Sequence, residues 1–371
     1  MAADPWTAAW RRHWQAAHIL VLLAATDTAA VQGISAAGAT PEARLGTAAA
    51  DAELLLQGPG GGRRHALPQL PAGVSPALIS HVVLRELGLL QRTGVVDLGC
   101  PVAAAVPHLR PPALEGDGPA RCLSSGRAMD PQRVAALVQR GRTWGKGWNP
   151  AEPLLLAECV PGGTTTALAV LEGLGVGAGG LVSGSLRLPV HSLKAALALQ
   201  GLAAAGLTGG GAAAGGNPLA VLAAVGDPMQ ALAAGLVGAV AARGAPVLLA
   251  GGSQMAAVLA LALALAPVAT RPALAEQLVV ATTAWVADEP GSDLALLLER
   301  IGAAWGVRPR LKVAALRFHR CACPALRDYE RGYVKEGVGA GGLALLWELA
   351  DRDPAALAVA CDRACRIELG V

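Results

Sequence analysis

Leu154-Leu-Leu-Ala-Glu-Cys-Val-Pro-Gly-Gly-Thr-Thr-Thr166 is an apolar run that ends in a carboxylate, turns through two glycines and opens onto a helical stretch at 165–174. A short apolar run with no polar alternation is the signature of a strand covered on both faces. The turn that follows is too short for anything but a direct strand-to-helix connection. The same alternation recurs along the chain on both sides of this stretch. Strands are predicted at 19–25, running on to Asp27, and at 95–98, 154–159, 246–250, 278–286 and 312–316. Helices are predicted between them, among others at 131–140, 165–174 and 229–243. Strand–helix alternation of this kind predicts an α/β fold: three layers, with a mostly parallel, Rossmann-like sheet and helices on both faces. One large domain is expected over 18–345. The chain ends, 1–17 and 346–371, are expected to pack as a small helical satellite. Gly/Ala-rich 206–216 and glycine-rich 58–62 read as loops.

Composition narrows the classes of function. The 371 residues carry a formal net charge of +3 with no long Lys/Arg run, so no nucleic-acid partner is expected. The most apolar stretch, 255–268, is shorter than the ~20 residues of a membrane helix and reads as a buried helix, so no membrane association is expected. The first residues lack signal-peptide character. Seven cysteines at scattered spacings argue against a disulfide framework, and with it for a reducing, cytoplasmic setting. Cys321 with Cys323, and Cys361 with Cys365, lack zinc-knuckle spacing and read as ordinary thiols.

In an open parallel sheet, ligands bind at the carboxyl ends of the strands. The residues there are the candidates. Gly162 and Gly163 let backbone N–H groups approach an anion. Thr164 and Thr165 add hydroxyls, and the helix start adds partial positive charge. No lysine follows at the Walker position, so a phosphate cradle and a plain strand–turn–helix link both fit. Lys194, in the otherwise apolar stretch 189–202, fits a phosphate counter-charge or a chain reaching for water. Asp227, after Gly226, fits an N-cap. Gly251 opens the loop after the strand at 246–250. Glu336 precedes closely spaced Gly337 and Gly339 and a strongly apolar helix. That arrangement gives a flat ligand access to a carboxylate whose pKa burial would raise toward that of a base. The competing reading is a helix-start glutamate held by the macrodipole.

Taken in order, these stretches resemble nicotinate-nucleotide–dimethylbenzimidazole phosphoribosyltransferases, in the branch known from archaea and cyanobacteria. The resemblance is collinear from about residue 20 to 345. Asp27 and Gly33-Ile-Ser-Ala36 resemble the family's strand-end Asp and its G-[VI]-S-A. Val95-Val-Asp-Leu-Gly99 resembles V-V-D-[LV]-G, and Gly126-Arg-Ala-Met-Asp-Pro-Gln132 resembles G-x-A-M-[ST]-x-x-Q. Glu158 to Thr165 resembles G-E-M-G-I-G-N-T-T, with Gly163 where the family often has Asn. Asp288-Glu289-Pro-Gly291 resembles S-A-E-P-G, and Glu336-Gly-Val-Gly-Ala340 resembles E-G-[ST]-G-A. Thr28 stands where the family has His, and Ala287 where it has Ser.

The resemblance implies transfer of the phosphoribosyl group of nicotinate mononucleotide to an aromatic base for cobamide nucleotide assembly. It implies Glu336 as the base and Gly163, Thr164, Thr165 and Lys194 around the phosphate. It implies Glu158 ordering either the ribose or the loop, and Ser35 near the acceptor. Asp27, Gly226, Asp227, Gly251, Glu289, Gly337 and Gly339 would line the same rim. It further implies a homodimer, and neither metal nor cofactor. The alternative on the same fold is a non-catalytic nucleotide-binding protein.

Overall fold

The computed structural model describes residues 4–112, 117–207 and 217–370. Most of the loop expected at 206–216 lies outside them. Among the described residues six strands form one sheet: β1 (His18–Leu23), β2 (Thr93–Asp97), β3 (Leu154–Cys159), β4 (Val247–Ala250), β5 (Leu278–Thr283) and β6 (Arg310–Ala314). All pairings are parallel, in the order β2-β1-β3-β4-β5-β6, so the expected α/β architecture is what forms. β3, β4 and β5 are buried along their whole length, which is why they read as unbroken apolar runs. β6 is an edge, and Arg310 and Lys312 keep it from adding a further strand.

Strand order reverses at β1. Because crossovers between parallel strands are right-handed, the β1-to-β2 connection falls on one face and all later connections on the other. α1 (Pro5–His13), α2 (Pro41–Gln57) and α3 (Ala77–Glu86) lie on the first face. The second face carries α4 (Pro131–Lys146), α5 (Gly163–Gly173), α6 (His191–Ala204), α7 (Pro218–Val225), α8 (Pro228–Ala242), α9 (Ser253–Leu265) and α10 (Arg271–Gln277). After the short α11 (Ala284–Ala287), α12 (Leu294–Trp305) joins that second face. Only one crossover covers the first face. It is completed by α13 (Pro324–Glu330), α14 (Ala340–Leu349) and α15 (Pro354–Leu369) from the end of the chain. Trp6 and Trp10 of α1 and Leu357 and Cys361 of α15 lie in the same apolar cluster as Ile19, Leu155 and Val279 of the sheet. No helix among the described residues is long and apolar enough to cross a membrane.

Two expectations need correction. The strand expected over 278–286 stops at Thr283, whose side chain accepts from the Val286 N–H and so starts α11. A capping threonine outweighs the β-propensity of the residues after it. The cysteines are not all free thiols either: Cys323 and Cys365 pair as a disulfide. They are 42 residues apart in sequence, and α15 packing beside α13 is what brings them together. Spacing along the chain carries no trace of that contact. Cys321 and Cys361 remain buried thiols.

Candidate functional site

A cavity of about 560 Å³ opens at the carboxyl end of the sheet. It lies at the switch point between β1 and β3, where connections leave to opposite faces and a crevice must form. Of the candidate residues, Ser35, Glu158, Gly163, Thr164, Glu336 and Gly337 line it. Its walls also hold Asp51, the proline-rich segment 66–76, Ser183 to Ser185, Gly252 to Gln254, and Glu368 at the end of α15.

Glu336 is held by backbone and hydroxyl donors on both oxygens. Oε1 accepts from the N–H groups of Gly337 (3.1 Å) and Gly341 (3.0 Å). Oε2 accepts from the Thr282 hydroxyl and the Thr283 N–H, each at 3.0 Å. Burial nevertheless raises its pKa above the ordinary carboxylate value, since these four donors only partly replace lost water.

The segment bearing Glu336 is strained. Lys335 N–H donates to Tyr333 O (2.7 Å) and Glu336 N–H to Val334 O (2.8 Å). Val334 and Lys335, at the centres of these turns, both have φ of 64°, and Val338 has φ of 51°. These are consecutive γ-turns of the rare hand, with β-branched residues in the left-handed region. Such conformations persist only where surrounding contacts enforce them, and they concentrate at functional sites. Several contacts do so here. Thr283 donates its hydroxyl to Lys335 O (2.6 Å), Ser80 to Val338 O (2.8 Å), and Val338 N–H to Glu158 O (3.1 Å). The bare Gly73 leaves room for Val334, whose Cγ2 would lie 2.7 Å from a Cβ at 73.

Glu158 closes the cavity floor. It is fully buried, accepts from Val160 N–H at 2.9 Å, and is pushed up to about 8 by burial and by the nearby Asp227 and Glu336 carboxyls. Its unfolded value is near 4.5. The raised pKa means that the folded state prefers the protonated form. The resulting stabilisation is complete below about pH 4.5 and is lost as pH rises through about 8. Glu158→Gln is therefore expected to flatten the fall in stability between pH 5 and 9, read by urea titration at each pH. An unchanged slope would assign that fall to other groups.

Other candidates stand behind the cavity wall. Asp227 caps α8 in a capping box with Gln230 and accepts the Thr166 hydroxyl at 2.5 Å; burial raises it to about 6. It thus braces the start of α5 from behind, while Gly226 ends α7. Lys194 is buried and donates to Ser183 O at 2.7 Å; burial lowers it to about 8. Glu289 pairs with Lys335, which itself lines the cavity, and accepts the Ser292 hydroxyl at 2.6 Å. Thr165 Oγ1 is buried with no partner among the described residues. Gly251, at φ 154°, precedes the lining Gly252, and Gly339 lets α14 start against Ala157, 2.6 Å from where its Cβ would stand. Asp27 is exposed and outside the cavity.

Several lining residues carry no sequence signal. Asp51 sits on α2, raised to about 6 by burial, and accepts from Ser75 Oγ (2.5 Å) and Cys159 Sγ (3.4 Å). Arg63 pairs with Glu368 at the rim. Gln254, at the start of α9, keeps a buried side-chain oxygen that meets no donor among the described residues.

No protein-family model matches the chain. It is similar to a UPF0284 protein of Parasynechococcus marenigrum, 54% identical over 351 residues, covering 93% of this chain and 86% of the relative. UPF0284 proteins of Prochlorococcus marinus (48% identical, 100% and 91% covered) and Gloeobacter violaceus (48%, 92% and 85%) are also similar. Among solved structures it resembles nicotinate-nucleotide-dimethylbenzimidazole phosphoribosyltransferase from Thermus thermophilus, with TM-score 0.53 and 20% identity, covering 96% of this chain and 86% of that one. A structure of CobT from the same organism gives TM-score 0.55 at 20% identity, covering 100% and 95%. Sharing its fold with those structures and about half its residues with those relatives, the chain belongs to the UPF0284 family.

Proposed function

We propose that this protein is a phosphoribosyltransferase that moves the 5-phosphoribosyl group of nicotinate mononucleotide to an aromatic base, releasing nicotinate, for the assembly of cobamide nucleotides. The observation that carries this reading is Glu336: a buried carboxylate of raised pKa, in a cavity that also holds Glu158 and a glycine–threonine helix start. The names of the structures that share the fold point the same way. We further propose a cytoplasmic homodimer needing neither metal nor cofactor.

Nicotinate leaves from a ribosyl pyridinium, so the C1′–N bond breaks with its electron pair returning to a neutral ring nitrogen. A ring nitrogen of the acceptor forms the new bond from the opposite face, giving the α-linked product. The acceptor ring becomes cationic as it bonds, and Glu336 removes the proton from its second nitrogen. General-base help of this kind is typically ~10²–10⁴-fold. Holding donor and acceptor in line supplies the larger proximity contribution. Gly163, Thr164 and the α5 N-terminus receive the phosphate. Lys194 adds positive charge from behind Ser183 and Gly184.

The deciding experiment mixes purified protein with nicotinate mononucleotide and a panel of aromatic bases, including dimethylbenzimidazole and adenine, with products read by mass spectrometry. A base–ribosyl phosphate with equimolar nicotinate is expected and names the acceptor. No product from any base, with the mononucleotide still bound, would leave a non-catalytic nucleotide-binding protein. Lys194→Met is expected to weaken donor binding about tenfold with little change in kcat; unaltered donor affinity would remove Lys194 from the phosphate site.

A further inference from the structure

Gln254 stands out among the side chains of the cavity. It lies at the first turn of α9, directly after the β4 loop, and lines the cavity at only 9% exposure. Its amide is a hydrogen-bonding neighbour of the Glu158 carboxyl. Its Oε1 has no partner among the described residues. Leaving a buried amide oxygen unpaired is destabilising, and native proteins rarely keep such a group without a use. The oxygen is aimed at Gly163. A Cβ at residue 163 would lie 1.9 Å from it, so the missing side chain of Gly163 is the space the Gln254 amide occupies. Gly163 itself begins the helix start that faces the cavity.

Resting on the function proposed above, we propose that Gln254 is a donor-binding residue whose side-chain oxygen accepts a hydrogen bond from a ribose hydroxyl of the mononucleotide, beside Glu158. The chemistry of the ligand singles out that group. An amide oxygen needs a donor. The ionised phosphate offers only acceptors, as does the nicotinate carboxylate, and the pyridinium nitrogen carries no hydrogen. In nicotinate mononucleotide the 2′- and 3′-hydroxyls are the donors that remain. The Gln254 amide and the Glu158 carboxyl stand side by side, which suits a vicinal diol and gives the site preference for ribose over deoxyribose.

The test is calorimetric binding, without acceptor base, of nicotinate mononucleotide and its 2′-deoxy and 3′-deoxy analogues to the parent and to Gln254→Met. Gln254→Met is expected to weaken the parent ligand about tenfold and one deoxy analogue hardly at all, so that a double-mutant cycle locates the hydroxyl. Equal weakening of all three ligands, or none of any, overturns the assignment. Failure of the parent protein itself to bind the mononucleotide overturns the functional reading along with it. A second pair guards against a folding artefact. Gly163→Asn alone is expected to bind poorly, because its Cβ collides with Gln254. Gly163→Asn combined with Gln254→Ala returns a carboxamide to the same space and is expected to recover at least part of the affinity. Absence of any recovery, with both variants folded by their melting curves, also overturns the assignment.

Discussion

Glu336→Gln is expected to lower kcat by about 10²–10⁴ while leaving the affinity for nicotinate mononucleotide nearly unchanged. The amide keeps the size of the side chain but cannot take a proton from the acceptor. The proposed donor contacts are at Glu158 and the α5 start, not at Glu336 itself. An equal loss of donor binding and turnover would refute the base assignment. The structure adds a secondary effect. Both Glu336 oxygens are surrounded by donors, so the –NH₂ of glutamine must face at least one backbone N–H that also donates. A drop in melting temperature is expected, and binding has to be measured below it. The parent enzyme supplies the matching pH test. A base works only when ionised, and burial holds this one above the ordinary carboxylate range. The value of kcat/KM is expected to rise with pH through that raised pKa, and the rise is expected to vanish in Glu336→Gln. A pH-independent parent would show that deprotonation of Glu336 does not limit the reaction.

The second large effect concerns the scaffold. α4 and α8 approach so closely that glycines form their contact. A Cβ at Gly141 would lie 2.2 Å from Leu232 O and 2.6 Å from Leu236 N, and one at Gly235 would lie 2.2 Å from Val138 O. These obstacles are backbone, which cannot rotate away. Gly141→Ala is therefore expected to lose about 3 kcal/mol of stability as the helices are forced apart. Gly46 makes the contrast. It lies inside α2, and a Cβ there meets nothing within 4 Å. Gly46→Ala is expected to gain about 0.4–1 kcal/mol by restricting the unfolded chain. Denaturant midpoints of the two variants should move in opposite directions. Movement in the same direction would contradict the close approach of α4 and α8.

The sheet was legible where burial is two-sided. Leu154–Cys159 reads as a strand because every one of its side chains is covered. The exposed edge strand β6 is less well marked: its pattern suggests 312–316, and it forms at Arg310–Ala314. Glu336 and Glu158 could be singled out because a carboxylate beside glycines at a strand end or helix start is unusual on composition alone. Gln254 could not, because glutamine at the start of an apolar helix looks like any surface residue until its neighbours are known. Asp51 was hidden for a similar reason. It lies in the middle of α2, and what makes it unusual is Ser75 and Cys159 arriving from other parts of the chain. The segment 66–76 has no periodicity to read, yet it forms one wall of the cavity.

The strand order has a consequence for how the protein is made. Of the described strands β1 is the first to be synthesised, and it is an interior strand, with neighbours on both sides. One neighbour, β2, is complete only at Asp97, and the other, β3, only at Cys159. At about 5–20 residues per second, the wait is on the order of ten seconds. Throughout it, His18–Leu23, four of whose six residues end up buried, has no hairpin partner to shield it, because parallel strands have no local one. Nascent chains that stop short of residue 159 are the form of this protein most in need of a chaperone.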